Sequence, residues 1–296
     1  MIRLAVRVRR ADAEIVLAEL LDLAPDGVEE VELGEELVEY AVYGSPGELP
    51  ALPDLHAAAG EALVEISTSE TPEDWQERWK LFHRPVLIEA PAGADASRLP
   101  DLRVRPPWEP PSEPTGARVE EIVIDPGQAF GTGAHATTRL CLGLLLELTA
   151  QRQPPGALLD VGTGSGLLAI AAARLGFSPV IALDNERESV QAAGENAQLN
   201  GVDVDVLHLD LRERPLPWLG SADARPAPVV AVANLLRPLL LELAGAIARP
   251  PDQLIAGGLL SDEVDEVAAA FARGLGMRER ERRQSGEWAA VWLTTG

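Results

Sequence analysis

A glycine-rich turn between a buried strand and an apolar helix constrains this chain more than any other feature. Residues 158–166 read Leu-Leu-Asp-Val-Gly-Thr-Gly-Ser-Gly, with glycines at Gly162, Gly164 and Gly166. The apolar residues before the turn predict a strand, and those at 167–175 predict a helix. A strand, a glycine turn and a helix in this order are typical of an α/β fold that binds a nucleotide-like cofactor.

Two carboxylates near this turn favour S-adenosyl-L-methionine over a dinucleotide as the cofactor. Asp160 precedes Gly162 by two residues, and a carboxylate there would repel a pyrophosphate but attract the cationic amino-acid end of S-adenosyl-L-methionine. Leu167 also stands where a dinucleotide fingerprint has its third glycine. Asp184 ends the next apolar strand, about 20 residues after the turn, where an acidic residue hydrogen-bonds ribose hydroxyls. We therefore predict that Asp160, the three glycines and Asp184 bind this cofactor.

The length and composition indicate a globular protein with two domains. The chain has 296 residues, 46% of them hydrophobic, and one domain usually has about 100–200 residues. Since no apolar run approaches ~20 residues, we expect no transmembrane helix and no membrane partner. The alternating first eight residues do not predict a signal peptide. The single cysteine, Cys141, excludes an internal disulfide, and we expect a cytoplasmic protein without a metal site.

Acidic residues are concentrated near the N-terminus. The formal net charge is −22, and residues 11–70 contain sixteen Asp or Glu but no Lys or Arg. With the four arginines that precede residue 11, the first 70 residues have a net charge of −12. Such a field opposes direct binding to nucleic acid and attracts a basic partner. The alternative is a solvated acidic face that only keeps the protein soluble.

Residues 1–70 predict a small acidic α+β domain of the ferredoxin-like type, which we expect to recognise the substrate. Strand patterns cover residues 2–8, 28–33, 36–43 and 62–67, and helical patterns begin near Asp12 and Asp54. The order β-α-β-β-α-β is that of a split βαβ domain. We predict that residues 71–120 form a proline-rich connector with a short helix around Trp75 and Trp79.

Residues 121–296 predict a doubly wound parallel sheet, because apolar strands alternate with helical patterns. The predicted strands are 158–161, 180–183, 204–207, 229–233 and 254–256, and the predicted helices are about 135–150, 165–176, 186–200, 237–248 and 262–274. A hairpin of strands 277–282 and 288–294 is predicted to close the sheet. Residues at the carboxyl ends of the parallel strands should line the ligand crevice.

A second glycine-rich loop, residues 125–138, is predicted to lie over the edge of the cofactor. Thr138 stands near the N-terminus of the following helix, where a hydroxyl and free N–H groups can bind the carboxylate or amine of an amino acid. Ordinary N-capping is the alternative for this threonine. Phe130 can lie against the adenine or the methionine chain. We expect His135 to be a structural hydrogen-bonding residue rather than a base.

Two further polar residues follow strands of the predicted sheet. Asn234 ends the strand at 229–233, and its side-chain oxygen can accept a hydrogen bond from an amine. We predict that Asn234 orients the reacting amine, and the alternative is a cap for the helix that starts at Arg237. Asp210 ends the strand at 204–207, where it can meet the edge of the adenine.

The chain resembles the bacterial ribosomal-protein methyltransferase family PrmA, in the class I S-adenosylmethionine-dependent superfamily. The resemblance rests on residues 125–138, 158–170, 184, 196–201, 233–234 and 286–288. It covers essentially the whole chain, although the N-terminal domain and the connector after Arg84 match only in layout. It implies a Rossmann-like sheet and methylation of the amines of ribosomal protein eleven of the large subunit. It also implies that four residues contact the cofactor or the reacting amine, namely Thr138, Gly162, Asp184 and Asn234.

Three functions follow from these observations. The first is a protein-lysine N-methyltransferase that acts on a basic ribosomal protein, with Asn234 as the catalytic residue and no obvious strong base. The second is a methyltransferase for nucleic acid or a small molecule. The acidic charge argues against this second function. The sequence after Asn234 also argues against it, because it lacks the proline and aromatic residue that methyltransferases of base amines usually have there. The third is a non-catalytic binder of a basic partner, which the intact Asp160, Gly162 and Asp184 disfavour.

Overall fold

A computed structural model describes residues 2–13, 16–17, 20, 28–34, 36–44, 55, 59–70, 84–93, 95, 99–112, 118–126, 133, 135–151, 156–218 and 228–296. The chain divides into two units, Met1–Leu81 and Phe82–Gly296. Among the described residues, none of the helices has the length and apolar character needed to cross a lipid bilayer.

The N-terminal unit contains a four-stranded antiparallel sheet. Its strands are β1 (Ile2–Arg9), β2 (Glu29–Leu33), β3 (Leu37–Gly44) and β4 (Leu63–Glu70). The strand order is β2-β3-β1-β4. This is the order of a split βαβ domain, so the prediction for the sheet is confirmed. Most residues of its two predicted helices lie outside the described part of the chain.

Alternate residues of β1 form one side of the core of this unit. Leu4, Val6 and Val8 are buried against the helical residues Val16 and Leu20, which are also buried. On the other face, Glu39 is only 5% exposed and accepts hydrogen bonds from Arg3 and Arg7, each at 2.6 Å. Burial opposes ionisation of Glu39, but the two arginines outweigh it and lower the pKa of this carboxyl.

A three-stranded sheet begins the second unit, in a segment that we predicted to be mainly connector. Its strands are β5 (Val86–Ile88), β6 (Asp101–Arg105) and β7 (Val119–Val123). β6 pairs antiparallel with β5 and parallel with β7. β5 has only three residues, whereas β6 reads Asp-Leu-Arg-Val-Arg and alternates in burial, a strand pattern that the connector prediction overlooked. The predicted helix around Trp75 and Trp79 lies outside the described residues.

The rest of the second unit is the predicted doubly wound sheet. Its strands are β8 (Ala157–Val161), β9 (Val180–Asp184), β10 (Asp205–His208), β11 (Val229–Asn234), β12 (Gln253–Leu260), β13 (Arg278–Ser285) and β14 (Trp288–Thr294). Its helices are α1 (Ala136–Gln151), α2 (Leu167–Arg174), α3 (Arg187–Asn200), α4 (Arg237–Ala246) and α5 (Val264–Leu275). The five predicted helices, the five parallel strands and the closing hairpin are thus confirmed to within a few residues.

The strand order is β10-β9-β8-β11-β12-β14-β13. From β8 the chain adds β9 and β10 on one side, and it then returns to place β11 and β12 on the other side. The first five strands of this order are parallel, and β14 is antiparallel to both β12 and β13. Every residue of β8 and β9 is buried, as expected for strands covered on both faces. Chain connections leave β8 and β11 on opposite sides, and this opens a crevice at their carboxyl ends.

Candidate active site

The glycine turn lies at this crevice, between β8 and α2. Gly162 has a positive φ of 72°, and a β-carbon there would overlap the side chain of Leu235. Gly166, the N-cap of α2, has a φ of 84°, and its β-carbon would lie 3.0 Å from Ala193 Cα. The turn therefore needs glycine at these two positions for both conformation and space.

Asp160, the carboxylate before the turn, is fully buried on β8. Its Oδ2 accepts hydrogen bonds from Thr163 Oγ1 at 2.7 Å and from the Ala169 N–H at 3.1 Å. The second bond supplies the helix cap that Gly166 cannot provide. Burial raises the pKa of Asp160 to about 7, against the effect of these two hydrogen bonds, and the neighbouring Asp184 adds to the rise. Its Oδ1 is buried without a hydrogen-bond partner in the described part of the chain, so a cation would stabilise this carboxylate.

Asp184, at the end of β9, also holds the turn. Its Oδ2 accepts a hydrogen bond from the Gly164 N–H at 2.9 Å, and its Oδ1 accepts one from the Glu186 N–H at 3.0 Å. The side chain nevertheless lines the crevice. Because each carboxylate oxygen has two lone pairs, Asp184 can hold the turn and still accept hydrogen bonds from ligand hydroxyls.

Asn234 and Thr138 meet at the other side of the crevice. Asn234 ends β11, Thr138 lies in the first turn of α1, and Asn234 Nδ2 donates to Thr138 Oγ1 at 3.2 Å. The N-cap of α4 is Leu236, and this helix has no side-chain cap, so Asn234 does not have the capping role that we considered. Asn234 Oδ1 is buried and finds no hydrogen-bond partner among the described residues. This oxygen faces Gly257 on the buried side of the amide, and a further N–H group would satisfy it.

Two adjoining cavities occupy the crevice. The larger, of about 220 Å³, is lined by five of the predicted site residues, namely Thr138, Gly162, Gly164, Asp184 and Asn234. The smaller, of about 90 Å³, is lined by Asp210 and shares Gly162 and Asp184 with the larger one. Asp160 and Gly166 line neither cavity and support the turn instead. Phe130 lies outside the described residues.

The charges around the larger cavity favour a cationic ligand. Among the described residues that line it, Asp184 and Glu186 are acidic and none is Lys or Arg. A pyrophosphate would find no positive partner there, whereas a sulfonium or ammonium would be attracted. The smaller cavity contains Arg212, but that side chain pairs with Glu242 at 3.0 Å. Leucines form much of its remaining wall, which suits a flat, weakly polar ring, and they are Leu183, Leu209, Leu211, Leu235 and Leu239.

His135 lies just before α1 and is half-buried. Its Nδ1 lies 2.8 Å from Thr137 Oγ1, and its ring meets the edge of Trp288 with 4.8 Å between the ring centroids. Burial lowers the pKa of His135, and the nearby Arg139 lowers it further. These contacts agree with the structural role that we expected.

Sequence reasoning assigned no individual role to two residues that organise this site. Leu235 covers Gly162 and lines both cavities. Asn196, on α3, is 2% exposed and donates from Nδ2 to the Ser165 carbonyl at 2.9 Å. A signal for Asn196 existed in the sequence, because Asn196 and Asn200 are four residues apart and so share one face of the helix.

Comparison with known proteins identifies the family. The sequence model of the family "Ribosomal protein L11 methyltransferase (PrmA)" matches residues 52–295. The chain belongs to this family. Relatives named ribosomal protein L11 methyltransferase include those of Pelotomaculum thermopropionicum, 38% identical over 78% of this chain and 69% of the relative, and of Geobacter sulfurreducens, 38% identical over 81% of this chain and 73% of the relative.

A solved structure of the PrmA family supports the fold. The ribosomal protein L11 methylase of Lactobacillus delbrueckii subsp. bulgaricus is 29% identical, with a TM-score of 0.53, and the match covers 68% of this chain and 96% of the other. The family match begins at residue 52, so our expectation that the resemblance covers essentially the whole chain is confirmed for residues 52–295 and stays a prediction for residues 1–51. Most of the acidic segment is therefore outside the part of the chain that identifies the family.

Proposed function

We propose that the protein transfers methyl groups from S-adenosyl-L-methionine to amino groups of ribosomal protein L11, lysine side chains among them. The observation that supports this most directly is the Asn234 amide, which lines the larger cavity together with the glycine turn in a chain of the PrmA family. Its oxygen has no hydrogen-bond partner among the described residues, and an amide in this state suits a reaction whose substrate is an amine.

The crevice fits each part of the proposed cofactor. Asp184 would accept hydrogen bonds from the ribose hydroxyls, and the leucine-lined smaller cavity, with Asp210 at its edge, would hold the adenine. The larger cavity would hold the methionine end beside Thr138 and the glycine turn. When bound, the cofactor supplies a methyl group on a positively charged sulfur.

The protein groups position the amine rather than deprotonate it with a strong base. A lysine amine has a pKa of about 10.4 in water, and burial against the apolar walls formed by Leu167, Leu168 and Leu235 would lower that pKa. Asn234 lines the larger cavity, and its amide oxygen would accept an N–H of the substrate once the amide turns that oxygen toward the cavity. That hydrogen bond would aim the nitrogen lone pair, and such positioning can contribute several kcal/mol.

The acidic N-terminal unit would recruit the substrate in the cytosol. Ribosomal proteins that contact RNA phosphates are rich in Lys and Arg, and residues 11–70 offer sixteen carboxylates. Two of the few basic side chains of this unit are neutralised internally, since Arg3 pairs with Glu39 and Arg7 pairs with Glu39 and Glu65. These pairs leave the net charge of −12 over the first 70 residues unchanged, and this charge makes the field that an approaching protein meets strongly negative.

Methyl transfer from labelled cofactor tests this proposal. The full chain would be incubated with radiolabelled S-adenosyl-L-methionine and, separately, with purified ribosomal protein L11, transfer RNA or a free amino acid. We expect label in the protein only, and peptide mass spectrometry should locate it on amino groups. Label in the RNA alone, or binding of the cofactor without transfer to the protein, would reject the proposed substrate.

A further inference from the structure

Two buried asparagines on α3 connect the glycine turn with the three-stranded sheet. Asn196 and Asn200 are 2% and 6% exposed. Asn200 makes two bonds to the backbone of Val123 at the end of β7, accepting from its N–H at 2.8 Å and donating to its carbonyl at 2.6 Å. A third bond, from Asn200 Nδ2 to the Asn196 carbonyl at 2.8 Å, stays within α3, so this amide links α3 to β7 alone.

Asn196 differs because its amide joins two different segments. Its Oδ1 accepts a hydrogen bond from the Asp125 N–H at 2.9 Å, two residues after β7. Its Nδ2 donates to the carbonyl of Ser165, in the glycine turn, at 2.9 Å. One side chain thus links the end of the three-stranded sheet to the turn that begins α2.

Three consecutive residues of the turn are held by three different side chains. The Thr163 hydroxyl donates to Asp160, the Gly164 N–H donates to Asp184, and the Ser165 carbonyl accepts from Asn196. Asp160 and Asp184 belong to strands of the main sheet. Among these three side chains, only Asn196 also makes a described hydrogen bond at the end of the three-stranded sheet.

We propose that Asn196 is a positioning residue of the cofactor site, which keeps the glycine turn in its binding conformation and couples it to the end of β7. This inference rests on the proposed function, because the turn is the part of the crevice assigned to the cofactor. Asn196 does not line either cavity, so its effect would be exerted through the Ser165 carbonyl. Loss of the bond would remove the side-chain donor that holds the Ser165 carbonyl in place, which favours a different turn conformation.

The neighbouring asparagine provides a matched control. Asn196→Ala and Asn200→Ala each remove a buried amide that bonds to the end of the three-stranded sheet, and we expect both to lower the melting temperature. Only Asn196→Ala should also raise the KM for S-adenosyl-L-methionine and the Kd for S-adenosyl-L-homocysteine, each about tenfold, while Asn200→Ala should leave both within about twofold. A third variant, Asn196→Asp, keeps the acceptor for the Asp125 N–H but cannot donate to Ser165, so it should weaken binding like alanine.

Hydrogen exchange supplies a readout that a purely structural role would not change. In the wild type, S-adenosyl-L-homocysteine should slow amide exchange in residues 118–126, and Asn200→Ala should retain this response. Both Asn196 variants should lose it even at saturating ligand. Equal binding and equal exchange responses in the Asn196 and Asn200 variants would overturn the inference. If Asn196→Ala does not fold, normal binding by a folded Asn196→Asp would overturn it. Failure of the wild type to bind the ligand would instead reject the proposed function.

Discussion

Replacement of Asp160 by asparagine should make the folded protein more stable at neutral and alkaline pH. The carboxylate is fully buried, and one of its oxygens has no hydrogen-bond partner within the described residues. Asparagine has nearly the same shape, and its oxygen can still accept hydrogen bonds from Thr163 and Ala169. The substitution therefore removes a buried charge without opening a cavity.

The size of the effect follows from the pKa of Asp160. Burial raises it to about 7 in the folded protein, whereas an aspartate in an unfolded chain has a pKa of about 3.9. Between these values the folded state binds a proton that the unfolded state does not, so the wild type loses about 1.4 kcal/mol of stability per pH unit as the pH rises. The total loss is about 4 kcal/mol above pH 7, and about 2.5 kcal/mol of it falls between pH 5 and pH 8.

Urea denaturation of the wild type and Asp160→Asn at pH 5 and pH 8 measures this difference. All other titrating groups contribute equally to the pH dependence of stability in both proteins. Their contributions therefore cancel in the difference between the two proteins. We expect the stability advantage of Asp160→Asn to grow by about 2.5 kcal/mol between the two pH values. A change below about 0.5 kcal/mol, within the scatter of such measurements, would show that Asp160 is ionised at low cost and that the reasoning from burial is wrong.

Three further results should follow from the proposed site. Asp184→Ala should weaken binding of S-adenosyl-L-homocysteine by roughly 1–3 kcal/mol through lost charge-assisted hydrogen bonds, and unchanged affinity of a folded variant in calorimetry would remove Asp184 from the site. Asn234→Ala should lower kcat at least about tenfold with little change in the affinity for S-adenosyl-L-homocysteine, because the lost contact belongs to the transition state. A fully active variant would show that Asn234 has only a structural role through its bond to Thr138. The kcat/KM for ribosomal protein L11 should fall as the salt concentration rises. The fall should be less steep for a double variant, Glu30→Gln with Glu36→Gln, which removes two charges from the exposed acidic face. Parallel salt curves for the wild type and the double variant would show that this face is only a solvated surface.

The central strands of the main sheet could be predicted from the sequence because they are short, apolar and bounded by clear signals. All five residues of β8 and of β9 are buried, and each strand is followed by a helix of the expected period. The three-stranded sheet could not be predicted in this way. Its strands β5, β6 and β7 pair across segments that contain many prolines, and only β6, which reads Asp-Leu-Arg-Val-Arg, has a clear alternating pattern.

The candidate site was predictable as a set of positions but not as a set of contacts. Asp160, Asp184 and Asn234 stand at the strand ends where the fold brings functional groups together. The sequence does not reveal that both carboxylates accept hydrogen bonds from the turn itself. Nor does it reveal that Asn234 reaches Thr138. Such partners depend on side-chain directions in the folded chain, which residue type and spacing do not determine.

The absence of Lys and Arg from the described wall of the larger cavity has a consequence for turnover. In the proposed reaction, transfer of the methyl group would pass the positive charge from the sulfur to the methylated amine and would leave a neutral thioether beside Asp184 and Glu186. An acidic wall attracts the charged form and loses that attraction once the methyl group has moved. These carboxylates would therefore bind the demethylated cofactor more weakly than S-adenosyl-L-methionine. The change in charge would thus favour release of this product before the next turnover.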